Sequence, residues 1–336
     1  MYSQKPLIEL FKSGKFPGEN SVPKHIETVI SNVFIFDKKV YKFYKNDNEF
    51  FNKGFRDLAP KDSRFDFTKR DFKWNNSLSP SIYTELINVK LSDDNIEVLK
   101  EETETEELVI VMNRVNTDDL LFEKLMRGEI SEDESFLMGR QFAESLKGAQ
   151  TKFDSKHNFY DKFELRVSDL RDWIKTVSEY ISEEESKEYC DFLETFRKEN
   201  KELFEKELSD ELVHGGDMHS HNAVFTDGSL YLMDTFPPKE EWLVDHKLIP
   251  LYRVGADIWA LSGNKDLFES FVRGYEAGSG NTVNRFLDDL YIIYASAIMV
   301  SYLYMLQRTD KEKKESAERF HKFIREYFKG RKTRKS

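Results

Sequence analysis

From Glu27 onward the pattern of apolar and polar positions turns to strand, in the stretch ETVISNVFIFDKKVYKFYK. β-Branched and aromatic residues concentrate over Val33–Phe36 and Val40–Tyr44, with Asp37, Lys38 and Lys39 between them, which predicts two strands joined by a turn. Strand side chains alternate between faces, so Val40, Lys42 and Tyr44 share one. A lysine among apolar neighbours is unusual, because lysine is rarely buried without a partner. Two more strands are predicted over Leu86–Leu91 and Leu108–Met112. The acidic run EETETEE between them reads as a solvated loop. Helical spacing replaces alternation in Pro6–Ser13 and in Asp66–Leu78, where Phe67, Asp71, Trp74 and Leu78 fall on one stripe and Pro80 ends the pattern.

The second half of the chain is helical in pattern. Ser131 and Glu134 form a capping box that opens a helix to about Lys152, with Phe136, Phe142, Leu146 and Ala149 as its buried stripe. Further helices are predicted over Leu165–Val177, Ser182–Leu208 (opened by a second box, Ser182 and Glu185), Leu267–Tyr275, Val283–Leu306 and Lys311–Phe328. Residues 329–336, KGRKTRKS, read as a frayed basic tail. The apolar run Tyr291–Leu306 is shorter than the ~20 residues that span a bilayer, and predicts a buried helix.

Between these helices lies VHGGDMHSHNAVFTDGSLYLMDTF, Val213–Phe236. Two apolar runs flank Asp227-Gly228, a strong hairpin signal. The hairpin is expected to bring the loop holding Asp217 and Asn222 next to Asp234. One carboxylate to orient and deprotonate a hydroxyl, and an amide and a second carboxylate to hold magnesium on nucleotide phosphates, is the set that phosphoryl transfer requires.

The order Asp217, Asn222, hairpin, Asp234 resembles the catalytic and metal-binding segments of protein-kinase-like phosphotransferases. More narrowly, Gly-Asp-Met-His-Ser-His-Asn followed by Tyr-Leu-Met-Asp resembles the aminoglycoside phosphotransferase and choline kinase group, whose pattern is His-Gly-Asp-x-His-x-x-Asn and then a hydrophobic strand ending in Asp. Asp217, His219, Asn222 and Asp234 match position by position. The group's first histidine does not: Gly215 stands there, and His214 lies one place earlier. Leu78-Ser79-Pro80-Ser81-Ile82-Tyr83 resembles a Leu-Ala-Pro-x-x-Tyr stretch of a bacterial aminoglycoside-phosphotransferase-like branch.

The resemblance implies an α+β, bilobal protein-kinase-like fold, with a small antiparallel-sheet N-lobe over residues 1–112 and a larger, mainly helical C-lobe over 113–328. It implies a magnesium-dependent transfer of the terminal phosphate of ATP (or GTP) to a hydroxyl of a small molecule. Asp217 would be the catalytic base, Asn222 and Asp234 the metal ligands. Lys42 would hold the phosphates, with Lys45 as the alternative, and Asp71 would be its acidic partner, one methylene shorter than the group's usual Glu. No glycine-rich loop precedes Lys42; Ser31-Asn32 occupies the expected turn. Met112–Val115 falls where the hinge would meet adenine through Met112 and Arg114. Asp257, in VGADIWAL, resembles the buttress that accepts loop backbone hydrogen bonds.

Composition narrows this picture. A hydrophobic share of 39% with 28 Phe and 15 Tyr marks a folded chain. Acids outnumber Lys and Arg by 62 to 51, which disfavours a general nucleic-acid binder. Cys190 is the one cysteine, so neither a disulfide framework nor a cysteine zinc site is available. With no signal-like N-terminus, the expected compartment is the cytoplasm, away from membranes. Two alternatives use the same residues. Asp217, His219 and His221 fit an Asp-x-His-x-His metallohydrolase phrase, with His246 and His321 the histidines downstream. A kinase-like nucleotide-binding protein without catalysis is the other. His221 is otherwise expected to be a hydrogen-bonded loop residue.

Overall fold

The computed structural model describes residues 3–92, 95–149, 152, 158–308 and 310–334. It divides into two compact units, Met1–Thr117 with Tyr231–Trp242, and Asp118–Leu230 with Leu243–Ser336.

The first unit opens with α1 (Lys5–Lys12), β1 (Lys24–Glu27), β2 (Ser31–Ile35) and β3 (Lys39–Tyr44). It continues through α2 (Glu49–Gly54), α3 (Lys61–Leu78), β4 (Tyr83–Ser92), β5 (Asn95–Leu99) and β6 (Glu107–Asn113). The strands form one antiparallel sheet in the order β1-β2-β3-β6-β4-β5, so β3 is central, Lys42 lying opposite Val33 and Ile110. Alternation along β3 sorts its side chains. Tyr41 and Phe43 join Phe11, Phe34 and Val109 in the core that α1 caps. Val40 and Tyr44 turn to the other face, with Phe67 of α3 and Ile110. Lys42 therefore points to the α3 side.

A buried polar knot fixes the register of α3. Arg64, 1% exposed, donates from Nε to the Glu107 carboxylate at 3.0 and 3.1 Å, and Gln4 Nε2 reaches the same carboxylate at 2.6 Å. Burial pushes the Glu107 carboxyl up, against the pull of Arg64. Glu107 thus leaves the solvated loop expected of the acidic run and becomes the first residue of β6. The helix starts five residues earlier than its hydrophobic stripe suggests, after Pro60 as its N-cap. The edge strands β1 and β5 and the six-residue α2 were not foreseen: they are too short or too polar to show a period.

The second unit holds α4 (Leu121–Arg127), α5 (Glu132–Ala149), α6 (Phe159–Lys175), α7 (Glu183–Glu199) and α8 (Lys201–Glu205). Three short strands follow, β7 (Leu212–His214), β8 (Ala223–Thr226) and β9 (Ser229–Leu232, whose last two residues count with the first unit), then β10 (Val244–His246) and helices α9 (Ile249–Ser262), α10 (Lys265–Ser279), α11 (Asp288–Gln307) and α12 (Lys314–Arg334). The Ser131 box forms as expected: Ser131 N donates to Glu134 at 2.9 Å and Glu134 N to Ser131 Oγ at 3.3 Å. The helix it opens ends at Ala149; residues 150–151 lie outside the described ones. Only half of the second box exists, because the Glu185 carboxylate is taken by His321, Arg325 and Tyr189. The helix expected over Ser182–Leu208 breaks at Asn200. The last helix runs on through Lys329 to Arg334, where a frayed tail was expected.

Glycine sets the tightest contact of this unit. A methyl on Gly274 would stand 1.9 Å from the Phe136 carbonyl oxygen, and one on Gly139 2.0 Å from that of Phe271, so α5 and α10 touch backbone to backbone. Arg285–Gln307, which contains α11, is long and apolar enough to cross a membrane, but 72% of its most apolar window is buried in the protein, as the run Tyr291–Leu306 suggested.

Candidate active site

Each unit carries one half of the expected residues. In the first, Lys42 is 3% exposed; its Nζ bonds Asp234 Oδ1 and lies 3.9 Å from Asp71 Oδ2. Burial would drive the ammonium down, yet the two carboxylates together hold it above the ordinary lysine range. Burial lifts Asp71 to about 6 despite Lys42. Its Oδ2 accepts no hydrogen bond among the described residues, while Oδ1 takes Asn75 Nδ2 at 2.8 Å. The short aspartate therefore reaches Lys42 only loosely, as the missing methylene requires. Lys45 Nζ instead bonds Glu27 at 2.8 Å and the Thr28 carbonyl at 2.6 Å.

Asp234 is placed by the backbone around it. Its φ is +51°, a left-handed conformation that few non-glycine residues adopt. Its N–H donates to the Tyr83 hydroxyl at 2.7 Å, and Leu232 N to Ser79 Oγ at 2.9 Å. Thr235 N donates to Asn75 Oδ1 at 2.9 Å, and Trp74 Nε1 to Thr235 Oγ1 at 3.0 Å. Ser79 and Tyr83 of the Leu-Ser-Pro-Ser-Ile-Tyr stretch are thus the clamps for the Asp234 segment. Asn75, wholly buried, bridges Asp71 to Thr235. Nothing local singles it out beyond its helical position one turn after Asp71. The Asp234 carboxylate stays 58% exposed.

The other residues expected at the nucleotide lie in this sheet. Ser31 and Asn32 belong to β2, not to a turn; the turn is Thr28–Ile30, closed by Ser31 N donating to Thr28 Oγ1 at 2.9 Å. Met112 lies near the end of β6, opposite Val40. Arg114 donates to the Phe36 carbonyl at 3.3 Å, and its N–H to Lys38 O at 2.9 Å. Asn113 N is likewise used, by Ile82 O at 2.8 Å.

The second unit holds the loop. The hairpin forms as expected, β8 and β9 pairing across a turn in which Asp227 and Gly228 both have positive φ. Asn222 Nδ2 donates to the Asp217 carbonyl at 2.9 Å and so folds the loop on itself. Asp257, 1% exposed, accepts Ser220 N at 2.7 Å and Ser220 Oγ at 2.6 Å, the buttress that the resemblance implied. Burial lifts its carboxyl to about 6. Asp217 Oδ1 lies 2.8 Å from Arg253 Nη2, a partner the sequence reading missed. His214 ends β7, paired with Val244. The structure thus brings Asp234 to Lys42 and Asn222 to Asp217.

His221 is not the hydrogen-bonded loop residue expected. Among the described residues neither ring nitrogen has a hydrogen-bond partner; the ring stacks on Phe122 at 3.7 Å, and burial drives its pKa well down. His219 Nε2 is 3.9 Å from Asp217. Among the described residues no three His, Cys, Asp or Glu are grouped to hold a metal ion, so Asp217, His219 and His221 do not form the metallohydrolase triad.

A six-stranded antiparallel sheet with one packed helix, followed by a helical unit with a buttressed loop, is the protein-kinase-like fold. No protein-family model matches the sequence, and no curated protein does. Solved structures do. A glucosamine kinase, in complex with glucosamine, ADP and inorganic phosphate, aligns over 94% of this chain and 82% of its own at a TM-score of 0.52 and 13% identity. The choline kinase LicA from Streptococcus pneumoniae aligns over 97% and 99%, at 0.52 and 12%. Another crystal form of glucosamine kinase gives 0.55 over 96% and 80%, at 12%. The chain shares the fold of these glucosamine and choline kinases.

Proposed function

We propose that the protein is a magnesium-dependent phosphotransferase that moves the terminal phosphate of ATP or GTP to a hydroxyl of a small molecule. The observation that carries this is the buried Lys42 held by Asp71 and Asp234. A lysine is buried at such a cost only with partners, and one with an exposed carboxylate beside it suits a metal-bound triphosphate. Lys42, steadied by Asp71, would take the phosphates, with Ser31 in the strand that follows the covering turn. Met112 and Arg114 would border the adenine. Asp234 and the Asn222 amide oxygen are hard oxygen donors of the kind magnesium prefers. The ion would supply charge neutralisation on the phosphates. Asp217 would orient and deprotonate the acceptor. Alignment and electrostatic stabilisation supply most of the rate in such transfers. The like-folded glucosamine kinase, solved with an amino sugar and ADP, agrees with a small hydroxylated acceptor.

The test is a thermal-shift series with ATP and GTP, with and without magnesium, followed by phosphate release over a panel of hydroxylated metabolites. Magnesium-dependent turnover that Asp217→Asn abolishes is expected. Nucleotide binding with no turnover on any acceptor would instead mark a binding protein.

A further inference from the structure

Helix α9 grips the Asp217 loop twice from one face. Asp257 takes Ser220, and four residues earlier, one helical turn, Arg253 takes Asp217 Oδ1. The Arg253 side chain is only 16% exposed, so this pair is shielded more than a surface ion pair. The other oxygen of Asp217, Oδ2, lies 3.9 Å from His219 Nε2, beyond hydrogen-bond reach. The Asp217 carbonyl is held as well, by Asn222. The two carboxylate oxygens are therefore unequal: the Arg253 guanidinium sits 2.8 Å from Oδ1, and Oδ2 is the oxygen on the His219 side.

We infer that Arg253 is a positioning residue for Asp217, fixing Oδ1 so that Oδ2 is the atom that takes the acceptor's proton. This rests on the phosphotransferase reading. In the step, the acceptor O–H gives its proton to Oδ2 and its oxygen forms a bond to the terminal phosphorus. The bond from that phosphorus to the bridging oxygen breaks, and the nucleoside diphosphate leaves with the electron pair. Arginine suits the task because it cannot itself accept or lose the proton. A lysine would supply charge without the planar fork.

The experiment uses the full chain and magnesium-dependent ATP hydrolysis, with water as the acceptor. Arg253→Ala is expected to lower kcat by about 10- to 100-fold, the scale of a misplaced catalytic group. KM for magnesium-ATP should stay within about twofold of the wild type, and millimolar guanidinium should restore part of the rate. Arg253→Lys should recover part as well, and Asp217→Asn should not respond to guanidinium. The inference is overturned if Arg253→Ala keeps its kcat, or if its loss follows a fall in Tm and guanidinium repairs nothing. A wild-type chain with no magnesium-dependent turnover on water or on any hydroxylated metabolite of the panel removes the phosphotransferase reading, and Arg253's role with it. Full-rate turnover by Arg253→Ala beside an active wild type removes that role alone.

Discussion

A buried ammonium costs several kcal/mol unless it is paired, and Lys42 has two carboxylates, Asp234 in contact and Asp71 at 3.9 Å. Taking it away leaves Asp71 buried with a neighbouring carboxylate and no cation. Asp71 already stands at about 6 against an ordinary 3.8, so the folded chain binds this proton more tightly than the unfolded chain. Such a group contributes most to stability below its unfolded value and loses that contribution as pH rises through the folded one. Lys42→Met removes the charge that pulls Asp71 down and moves its folded value higher. The variant should therefore melt well below the wild type at pH 8 and close much of the gap near pH 5. Adding Asp71→Asn should restore stability at pH 8. Melting curves of the two single variants and the double across that range decide it, and a gap independent of pH would refute the coupling.

At the scale of elements, α3 does more than its apolar stripe announces. Trp74 and Asn75 hold Thr235, and Ser79 and Tyr83, just beyond its end, hold Leu232 and Asp234. Asn75→Ala should cost about 1–3 kcal/mol, since it strands the buried Thr235 N–H. It should also weaken magnesium-nucleotide binding while leaving Lys42 untouched; denaturant unfolding and a magnesium-ADP titration measure both. A variant with normal affinity would show that the Asp234 segment does not need this bridge. The sequence revealed the inner strands and the hairpin because each has a local signature, runs of β-branched and aromatic residues and Asp-Gly, and it revealed Asp257 through the resemblance that VGADIWAL carries. It concealed Asn75 and Arg253, whose importance lies in partners 160 and 36 positions away. Gly139 and Gly274 were hidden for the same reason, since a close approach of two helices leaves no period in either. His221 misled in the other direction. A polar residue in a polar loop reads as hydrogen-bonded, yet Phe122 offers it a flat face instead.

For the whole molecule, the division into units is not a cut at one point of the chain. Tyr231–Trp242 belongs with Met1–Thr117, so Asp234 and Lys42 share a unit although 192 positions separate them. A fragment ending at Thr117 would lack the segment that satisfies Trp74, Asn75, Ser79 and Tyr83. Each buried polar group left unmatched costs about 1–3 kcal/mol, and a domain has only about 5–15 kcal/mol in hand. The fragment alone should show poor hydrogen-exchange protection in α3 and β4, and fusing Tyr231–Trp242 to it should restore protection; equal protection in both would contradict the grouping. The knot of Arg64, Glu107 and Gln4 bears on this as well. It pins α3 by its first turns, while Asp71, Trp74 and Asn75 ride farther along the same rod. A rod pinned at one end turns a small rotation at the pin into displacement at the other. A lesion at Glu107 would thus be felt by both counter-charges of Lys42 together, with no atom of that trio altered.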